Sequence, residues 1–250
     1  MEGLAIGGFT PMSTVDVPGH LAAVLFTQGC PWSCRYCHNG HLQDVKGEAL
    51  SWEALLVRLK RRRGFLEAVA FSGGEPLLQP GLPGALRELR AMGFRTALHT
   101  GGSHPERLGR VLPLVDWVGF DLKAPWEGYD RITGTPGSGR SAQESLGLLE
   151  AEQVPFELRT TLHPRLLAPG DLERMAEVAG GSRSSAWIIQ PFRPQGCRDP
   201  HLLEQSPSVL SSAHAEALAR ARRRHPHTSI HVRGDGASAP LPACSFRRSA

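Results

Sequence analysis

Short apolar runs rich in β-branched residues alternate with helical patterns along most of this chain. A run of about four to eight apolar residues bounded by turn residues is typical of a buried strand, whereas apolar residues recurring every three to four positions indicate a helix. The first pattern predicts strands at residues 21–27, 68–71, 95–99, 115–120, 156–161 and 186–190, with 230–233 as a candidate seventh. The second pattern predicts helices at residues 51–63, 82–92, 106–111, 143–152, 171–179 and 209–223.

Six strands that alternate with helices predict a single parallel sheet with right-handed crossovers. The pattern alone leaves open a closed barrel, a partial barrel and an open, doubly wound sheet. The candidate functional motifs of this chain all follow predicted strands. In barrels of parallel strands the chemistry lies at the C-terminal ends of the strands. We therefore expect a functional site at that edge of the sheet.

The composition is that of an ordinary globular protein, with 40% hydrophobic and 21% charged residues among 250. No apolar run approaches the roughly 20 residues that cross a bilayer, and the first residues lack the basic and apolar regions of a secretory signal. Five cysteines, three of them within eight residues, suit a reducing compartment better than a disulfide framework. We expect a cytoplasmic enzyme without a membrane partner.

The positive charge of the chain, a net +4, is concentrated at the ends of two predicted helices. Five cations lie within residues 58–63 and four arginines within residues 220–224. Cations at a helix C-terminus complement the macrodipole and stay solvated, and a docking face for an acidic electron donor is the alternative. Aromatic residues make up only 6% of the chain and none lies within these runs, so we expect no nucleic-acid partner.

Three cysteines after the first predicted strand, Cys30, Cys34 and Cys37, carry the strongest chemical signal. Their C-x3-C-x2-C spacing lets three thiolates converge on one soft metal centre, and cysteine thiolates are the ligands of iron–sulfur clusters. A four-iron cluster held by three thiolates keeps one iron open to a small molecule. Two alternatives remain at this point. The cysteines could be buried residues of a helix face, or a zinc site that His38 or His41 completes.

The longer strings around these cysteines, residues 15–19, 26–30 and 36–39, resemble the activating enzymes of glycyl-radical proteins within the radical S-adenosylmethionine superfamily. The cysteine motif is specific for the superfamily, and the assignment to activating enzymes depends on the longer strings. The resemblance covers residues 7–234. It implies an incomplete (β/α)6 TIM-like barrel of the radical S-adenosylmethionine type as the fold. We accordingly expect one domain over residues 1–236 and a disordered tail over residues 237–250.

The resemblance implies that Cys30, Cys34 and Cys37 hold a [4Fe–4S] cluster and that S-adenosylmethionine binds its open iron. It also places Tyr36, Cys37 and His38 beside that cofactor. The chain has no cysteine-rich, ferredoxin-like insertion, so one cluster is expected.

Three further motifs are implied to contact the cofactor. Gly73, Gly74 and Glu75 follow the second predicted strand, where glycines let the backbone approach a ligand; a plain turn is the alternative. Alternation places Asp121 and Lys123 on one side of an extended segment, and a surface ion pair is the alternative. Arg193, after the sixth predicted strand, is a weaker candidate.

Other residues carry less signal. Cys197 and Cys244 stand alone and are expected to be incidental thiols, and His163 is either a cavity residue or a packed loop residue. The third predicted strand ends in residues 99–102, His-Thr-Gly-Gly, where related enzymes usually carry Thr-Asn-Gly. This departure puts one polar cofactor contact in doubt.

The implied reaction is reductive cleavage of S-adenosylmethionine to methionine and a 5′-deoxyadenosyl radical, with flavodoxin or ferredoxin as the electron donor. The radical would then remove a hydrogen atom from a glycine of a partner protein, such as anaerobic ribonucleoside-triphosphate reductase. Such a partner needs a wide lateral mouth, near which we expect Asp16, Pro18 and Gly19. Two readings compete: a radical enzyme acting on a small molecule, and a non-enzymatic zinc or nucleic-acid module.

Overall fold

Eight strands form one sheet in which each strand pairs with its neighbours in the sequence. The computed structural model describes residues 2–46, 48–204, 210–233, 244 and 246. The strands are β1 (Ile6–Ser13), β2 (Ala22–Thr27), β3 (Ala68–Gly73), β4 (Arg95–Thr100), β5 (Trp117–Asp121), β6 (Phe156–Leu162), β7 (Trp187–Pro191) and β8 (Ile230–Val232).

The sheet curls into a barrel that does not close. Strand β1 runs antiparallel to β2, and every later pair from β2 to β8 is parallel. Within the described ranges β1 and β8 do not pair, so in that part of the chain the sheet stays open between these two edges. The predicted partial barrel is therefore confirmed. Its parallel part has seven strands, because the candidate strand at 230–233 forms as β8.

Helices follow the parallel strands and cover the outside of the sheet. They are α1 (Trp52–Lys60), α2 (Leu82–Ala91), α3 (Pro105–Val111), α4 (Tyr129–Thr133), α5 (Ser138–Glu152), α6 (Pro169–Gly181), α7 (Pro200–Leu203) and α8 (Ser212–Arg224). The hydroxyl of Ser51 accepts a hydrogen bond from the N–H of Ala54, so Ser51 caps α1 as the sequence predicts. No helix within the described ranges is long and apolar enough to cross a membrane.

The main differences from the sequence prediction concern short or irregular elements. Strand β1 was not predicted, because Gly7, Gly8 and Pro11 interrupt its apolar pattern. Pro11 is tolerated because β1 is an edge strand, and two register irregularities accompany it. Helices α4 and α7 were also missed; at five and four residues they are too short to show a period. Helix α5 begins five residues earlier than predicted.

Two apolar layers hold the barrel together. The larger lies between the sheet and the helices, where alternate strand residues such as Leu25, Phe71 and Phe120 are fully buried. The smaller lies inside the barrel, around Val24 and Trp117. Alternation of the two faces along each strand is the expected consequence of the pleat. The interior layer fills only the lower part of the barrel and leaves the C-terminal rim polar.

Two residues of the predicted tail lie in the described part of the chain and pack at the lower end of the barrel. The N–H of Cys244 donates to the carbonyl of Pro18 at 2.8 Å, and the ring of Phe246 lies 4.3 Å from that of His20. The rest of residues 237–250 lies outside the described ranges, so the disordered tail and the domain boundary at 236 stay predictions.

The carboxylate of Asp116 joins the start of β4 to the segment that precedes β5. Its side chain is 3% exposed, and it accepts hydrogen bonds from the backbone N–H of Thr96 at 2.8 Å and from Arg90 at 3.0 Å. Asp116→Ala leaves the buried Thr96 N–H without an acceptor, so we expect a loss of about 2 kcal/mol in the free energy of unfolding. Urea unfolding measures this loss. The exposed Asp44→Ala serves as the control, and an equal response of both variants would contradict the role given to Asp116.

Candidate active site

The cysteine loop begins directly after β2 and is held by backbone hydrogen bonds on two sides. The N–H of Cys30 donates to the carbonyl of Gln43 at 2.9 Å, which closes the base of the loop. The N–H groups of Ser33 and Arg35 donate to the carbonyls of the last two residues of α4, at 2.8 and 3.0 Å. The short helix α4 therefore forms the wall against which the loop folds.

The thiols of Cys30, Cys34 and Cys37 are partly buried in this loop. Burial raises the pKa of Cys30 to about 12 and that of Cys34 to about 11, and the nearby ammonium of Lys123 opposes both shifts. Burial also raises the pKa of Cys37, and Lys123 again acts in the opposite direction. The three thiols thus share one cationic neighbour, which favours their thiolate forms.

Gly73 and Gly74 bring the end of β3 into close contact with the base of the cysteine loop. Gly73 has a φ of +102°, and a Cβ there would lie 2.5 Å from the backbone nitrogen of Thr27. A Cβ on Gly74 would lie 2.2 Å from the carbonyl oxygen of Gly29. The side-chain amide of Asn39 donates to the carbonyl of Gly73 at 3.3 Å. Glycine is therefore required at both positions by the approach of two backbones.

The carboxylate of Glu75 is buried and already fully engaged within the protein. It accepts hydrogen bonds from the N–H of Leu77 at 3.1 Å, the hydroxyl of Thr100 at 2.8 Å and the N–H of Gly101 at 3.2 Å. Burial raises the pKa of Glu75, and these donors oppose the shift. The side chain thus ties the turn after β3 to the turn after β4.

Lys123 lies at the centre of the site, after β5. Its Nζ donates to the carboxylate of Asp121 at 2.9 Å, as expected from their shared side of the strand. The ammonium also lies 5.8 Å from the ring centroids of both Trp32 and Tyr36, which belong to the cysteine loop. Burial alone would lower the pKa of Lys123, but Asp121 and the loop raise it well above its usual value. The cation therefore persists in a largely dry environment.

Gly101 explains how this chain accommodates its departure from Thr-Asn-Gly. A Cβ at Gly101 would lie 2.5 Å from Cζ3 of Trp32 and 2.9 Å from Cε of Lys123. The indole and the lysine stem thus occupy the space beside this backbone, and any side chain at position 101 would collide with them.

The remaining candidates are spread around the rim. His38 is exposed at the rim, desolvation by the surrounding protein lowers its pKa, and its backbone carbonyl packs against Gly196. Arg193 is exposed after β7, near enough to His38 for its charge to act on the imidazole. His163 is a packed loop residue, fully buried with its ring 4.9 Å from that of Phe192. Cys197 is buried and its thiol donates to the carbonyl of Arg35 at 3.3 Å.

The barrel interior below the rim contains a polar network that sequence reasoning missed. The backbone carbonyl of Asp16 accepts hydrogen bonds from Nε2 of His99 at 2.8 Å and from Nη2 of Arg159 at 3.0 Å. Arg159 also pairs with the buried Glu157 at 2.7 Å. Glu157 and Arg159 lie two positions apart in β6, so their side chains share one face of the strand. Two charged residues on the same face predict a polar environment there, and this was the available sequence signal. The loop between β1 and β2 thus enters the barrel.

Burial lowers the pKa of His99 to about 4, and the charge of Arg159 acts in the same direction. The imidazole is therefore neutral near pH 7. Its position between Asp16 and Ser72 places it on the inner wall, directly below the motifs of the rim.

Residues 24–177 of this chain match the family description "Radical SAM superfamily". This segment includes the cysteine loop, the turn after β3 and Asp121–Lys123. The chain belongs to that superfamily. Its cofactors are therefore a [4Fe–4S] cluster and S-adenosylmethionine, as in other radical S-adenosylmethionine enzymes.

Two curated relatives indicate the group of radical S-adenosylmethionine enzymes to which the chain belongs. The chain is 38% identical to the pyruvate formate-lyase-activating enzyme of Clostridium pasteurianum over 194 residues, which cover 74% of this chain and 80% of that protein. It is 27% identical to a glycyl-radical enzyme activating enzyme of Methanocaldococcus jannaschii over 201 residues, covering 78% of this chain and 82% of that protein. This radical S-adenosylmethionine enzyme thus belongs among the activating enzymes.

A solved structure agrees on the fold. A radical SAM methyltransferase from Sphaerobacter thermophilus superimposes with a TM-score of 0.61 at 17% identity, covering 91% of this chain and 71% of the other. At this identity the likeness concerns the fold alone.

The cysteine loop of this radical S-adenosylmethionine enzyme supplies ligands that fit an iron–sulfur cluster. Cys30, Cys34 and Cys37 are free thiols of one loop, and cysteine thiolates are the ligands that hold such clusters. Three thiols, a shared cation and a solvent-reachable rim suit a cluster with an open iron.

We expect Gly101→Ala to destabilise the site by about 1–3 kcal/mol, because the new methyl group overpacks against Trp32 and Lys123. Trp32→Leu in the same chain should recover part of this loss by making room. Urea unfolding of the apoprotein measures both effects. Gly147→Ala is the matched control: it lies in α5 with open space at its Cβ, so it should be neutral or stabilising. Equal effects at positions 101 and 147 would contradict the packing described.

Proposed function

We propose that this enzyme generates a glycyl radical on a partner protein, with Cys30, Cys34 and Cys37 as the ligands of its cluster. The observation that carries this proposal is the combination of one polar rim with an open barrel side. The rim unites the cysteine loop, the turn after β3 and Lys123, and the gap between β1 and β8 gives a protein loop lateral access. The names of the curated relatives support the same class of substrate.

When bound, the cluster and S-adenosylmethionine supply the radical that abstracts a hydrogen atom from a glycine. The residues of the chain bind, orient and shield these groups. We propose that the backbone of Gly73 and Gly74 lines the cofactor site, since it lies at the C-terminal end of β3 beside the cysteine loop. Glu75 supports the site because its carboxylate holds the turn after β3 against the turn after β4.

We further propose that Asp121 and Lys123 contact the cofactor from β5. The Asp121 carboxylate is 43% exposed and can accept hydrogen bonds from a ligand, whereas the Lys123 ammonium is 9% exposed and attracts anionic groups. Tyr36 and His38 would flank the site from the cysteine loop. Arg193, exposed on the loop after β7, would reach a bound ligand only from the edge of the rim.

As the partner we propose anaerobic ribonucleoside-triphosphate reductase, following the strings at residues 15–19 and 26–30. The name of the Clostridium pasteurianum relative makes pyruvate formate-lyase the alternative to be tested beside it. A flavodoxin or ferredoxin is proposed as the reductant. The cytoplasm is the proposed location, where free thiols and a labile cluster persist.

Formation of 5′-deoxyadenosine tests the radical chemistry. We expect the anaerobically reconstituted and reduced enzyme to release it from S-adenosylmethionine, and Cys34→Ala to release essentially none, because the cluster loses one of three ligands. Cys244→Ala, which removes a buried thiol at the opposite end of the barrel, should behave like the wild type. A Cys34→Ala variant with full cluster content and activity would refute the ligand assignment.

The class of substrate is tested by electron paramagnetic resonance. The reduced enzyme is mixed with S-adenosylmethionine and either purified anaerobic reductase or purified pyruvate formate-lyase. We expect a glycyl-radical signal that depends on S-adenosylmethionine. Robust 5′-deoxyadenosine formation without a signal from either protein would favour a small-molecule substrate instead.

Lys123→Met tests the central cation. Removing the charge leaves Asp121 unpaired and loosens the cysteine loop, so we expect affinity for S-adenosylmethionine to fall about 10- to 100-fold. Anaerobic equilibrium dialysis measures the affinity. Lys46→Met, at a side chain that is 77% exposed, is the matched control. Unchanged binding in Lys123→Met would exclude a cofactor role for Lys123.

A further inference from the structure

The two arginine-rich helix ends, equivalent in the sequence, differ in the structure. At the end of α8, Arg220 pairs with Glu173 and Arg224 with Glu177, both at 2.8 Å. Arg222 donates to the carbonyl of Ile230 at 3.1 Å. These arginines fasten α8 to α6 and β8, so their charge is largely used within the protein.

The arginines at the end of α1 have no such partners. No ion pair joins Arg58, Arg61 or Arg62 to a carboxylate in the ranges that the structure describes. Arg62 donates a hydrogen bond to the carbonyl of Pro11 in the neighbouring strand β1 at 3.3 Å. Unpaired cations held on a rigid helix present a positive field to an approaching partner.

These arginines line a cleft of about 820 Å³ between α1 and the edge strand β1. We call it the α1–β1 cleft; its lining residues are Phe9, Pro11, Arg58, Arg61, Arg62 and Phe65. Phe65 is 55% exposed and the neighbouring Val57 is 53% exposed. An exposed aromatic group beside unpaired guanidinium groups is the composition of a binding surface, since interfaces are enriched in aromatic residues and arginine.

The position of the cleft restricts its occupant. Helix α1 runs against the strands, so its C-terminal end lies at the rim opposite the cysteine loop. The six residues of β2 span about 20 Å between the two rims. A small electron donor seated in the cleft would therefore be a strand length from the cluster loop, which disfavours that occupant.

A nucleic acid is also a poor candidate for the occupant of the α1–β1 cleft. The basic cluster is short, because residues 58–60 are the last three of α1 and residues 61–63 follow directly in a turn. The neutralised arginines of α8 do not extend this track of positive charge. A polypeptide segment suits the surface better, because the wall of the cleft is an edge strand beside exposed apolar side chains.

We propose that the α1–β1 cleft docks an acidic segment of the glycyl-radical partner, with an aromatic or aliphatic side chain held against Phe65. Strand β1 bounds the lateral opening of the barrel, so a protein that inserts a loop there also passes this cleft. Carboxylates of the segment pair with Arg58 and Arg61. The cleft anchors the partner away from the chemistry, and this inference depends on the function proposed above.

The test measures activation kinetics with whichever of the two purified glycyl-radical proteins gives a radical signal. In Arg58→Gln/Arg61→Gln we expect the KM for the partner protein to rise about five- to tenfold, with kcat and partner-free 5′-deoxyadenosine formation unchanged, because charges at an interface rim act on encounter. The same variant should lose much of the salt dependence of KM. Arg87→Gln/Arg223→Gln removes equal charge from exposed positions elsewhere and should match the wild type.

Photocrosslinking locates the occupant independently. A photoreactive phenylalanine analogue at position 65 should crosslink to an acidic segment of the partner, whereas the analogue at the exposed position 203 should not.

A wild-type KM in Arg58→Gln/Arg61→Gln would overturn the inference while leaving the proposed function intact. So would crosslinking to flavodoxin instead, or arginine-dependent binding only to an oligonucleotide or to phosphatidylglycerol vesicles. Absence of a radical on either protein would refute the proposed function itself.

Discussion

The ammonium of Lys123, paired with Asp121 at 2.9 Å beneath the rings of Trp32 and Tyr36, joins the parts of this site into one unit. A buried ion pair is costly to desolvate and contributes little net stability. The Lys123–Asp121 pair lies where β4, β5 and the cysteine loop meet. Its role there is to position these elements rather than to add stability. Burial raises the pKa of all three thiols, and the charge of Lys123 opposes that rise at each of them.

Around this cation, hydrogen bonds between the turns hold the rim together. Glu75 bonds to the turn after β4, Asn39 bonds to the turn after β3, and α4 supports the cysteine loop. Each turn comes from a different β/α unit of the barrel. The chemistry therefore depends on the register of the whole sheet, which explains why residues distant in the sequence assemble at one edge.

Much of this arrangement could be predicted from the sequence because it is local. Apolar runs predicted the parallel strands β2 to β7 nearly to their ends, and the cysteine spacing singled out the loop that we propose holds the cluster. Strand β1 escaped because glycine and proline mask its period, although as an edge strand it tolerates them. The internal role of Glu75 and the need for glycine at position 101 depend on contacts with residues far along the chain, which no local pattern encodes.

The central claim is that the three cysteines hold a four-iron cluster whose open iron binds S-adenosylmethionine. Mössbauer spectroscopy of enzyme reconstituted with iron-57, recorded with and without S-adenosylmethionine, tests it most directly. We expect the cofactor to change the Mössbauer parameters of one iron in four and to leave those of the others nearly unchanged. A cluster that does not respond to the cofactor, or a protein that retains only zinc after anaerobic reconstitution, would contradict it.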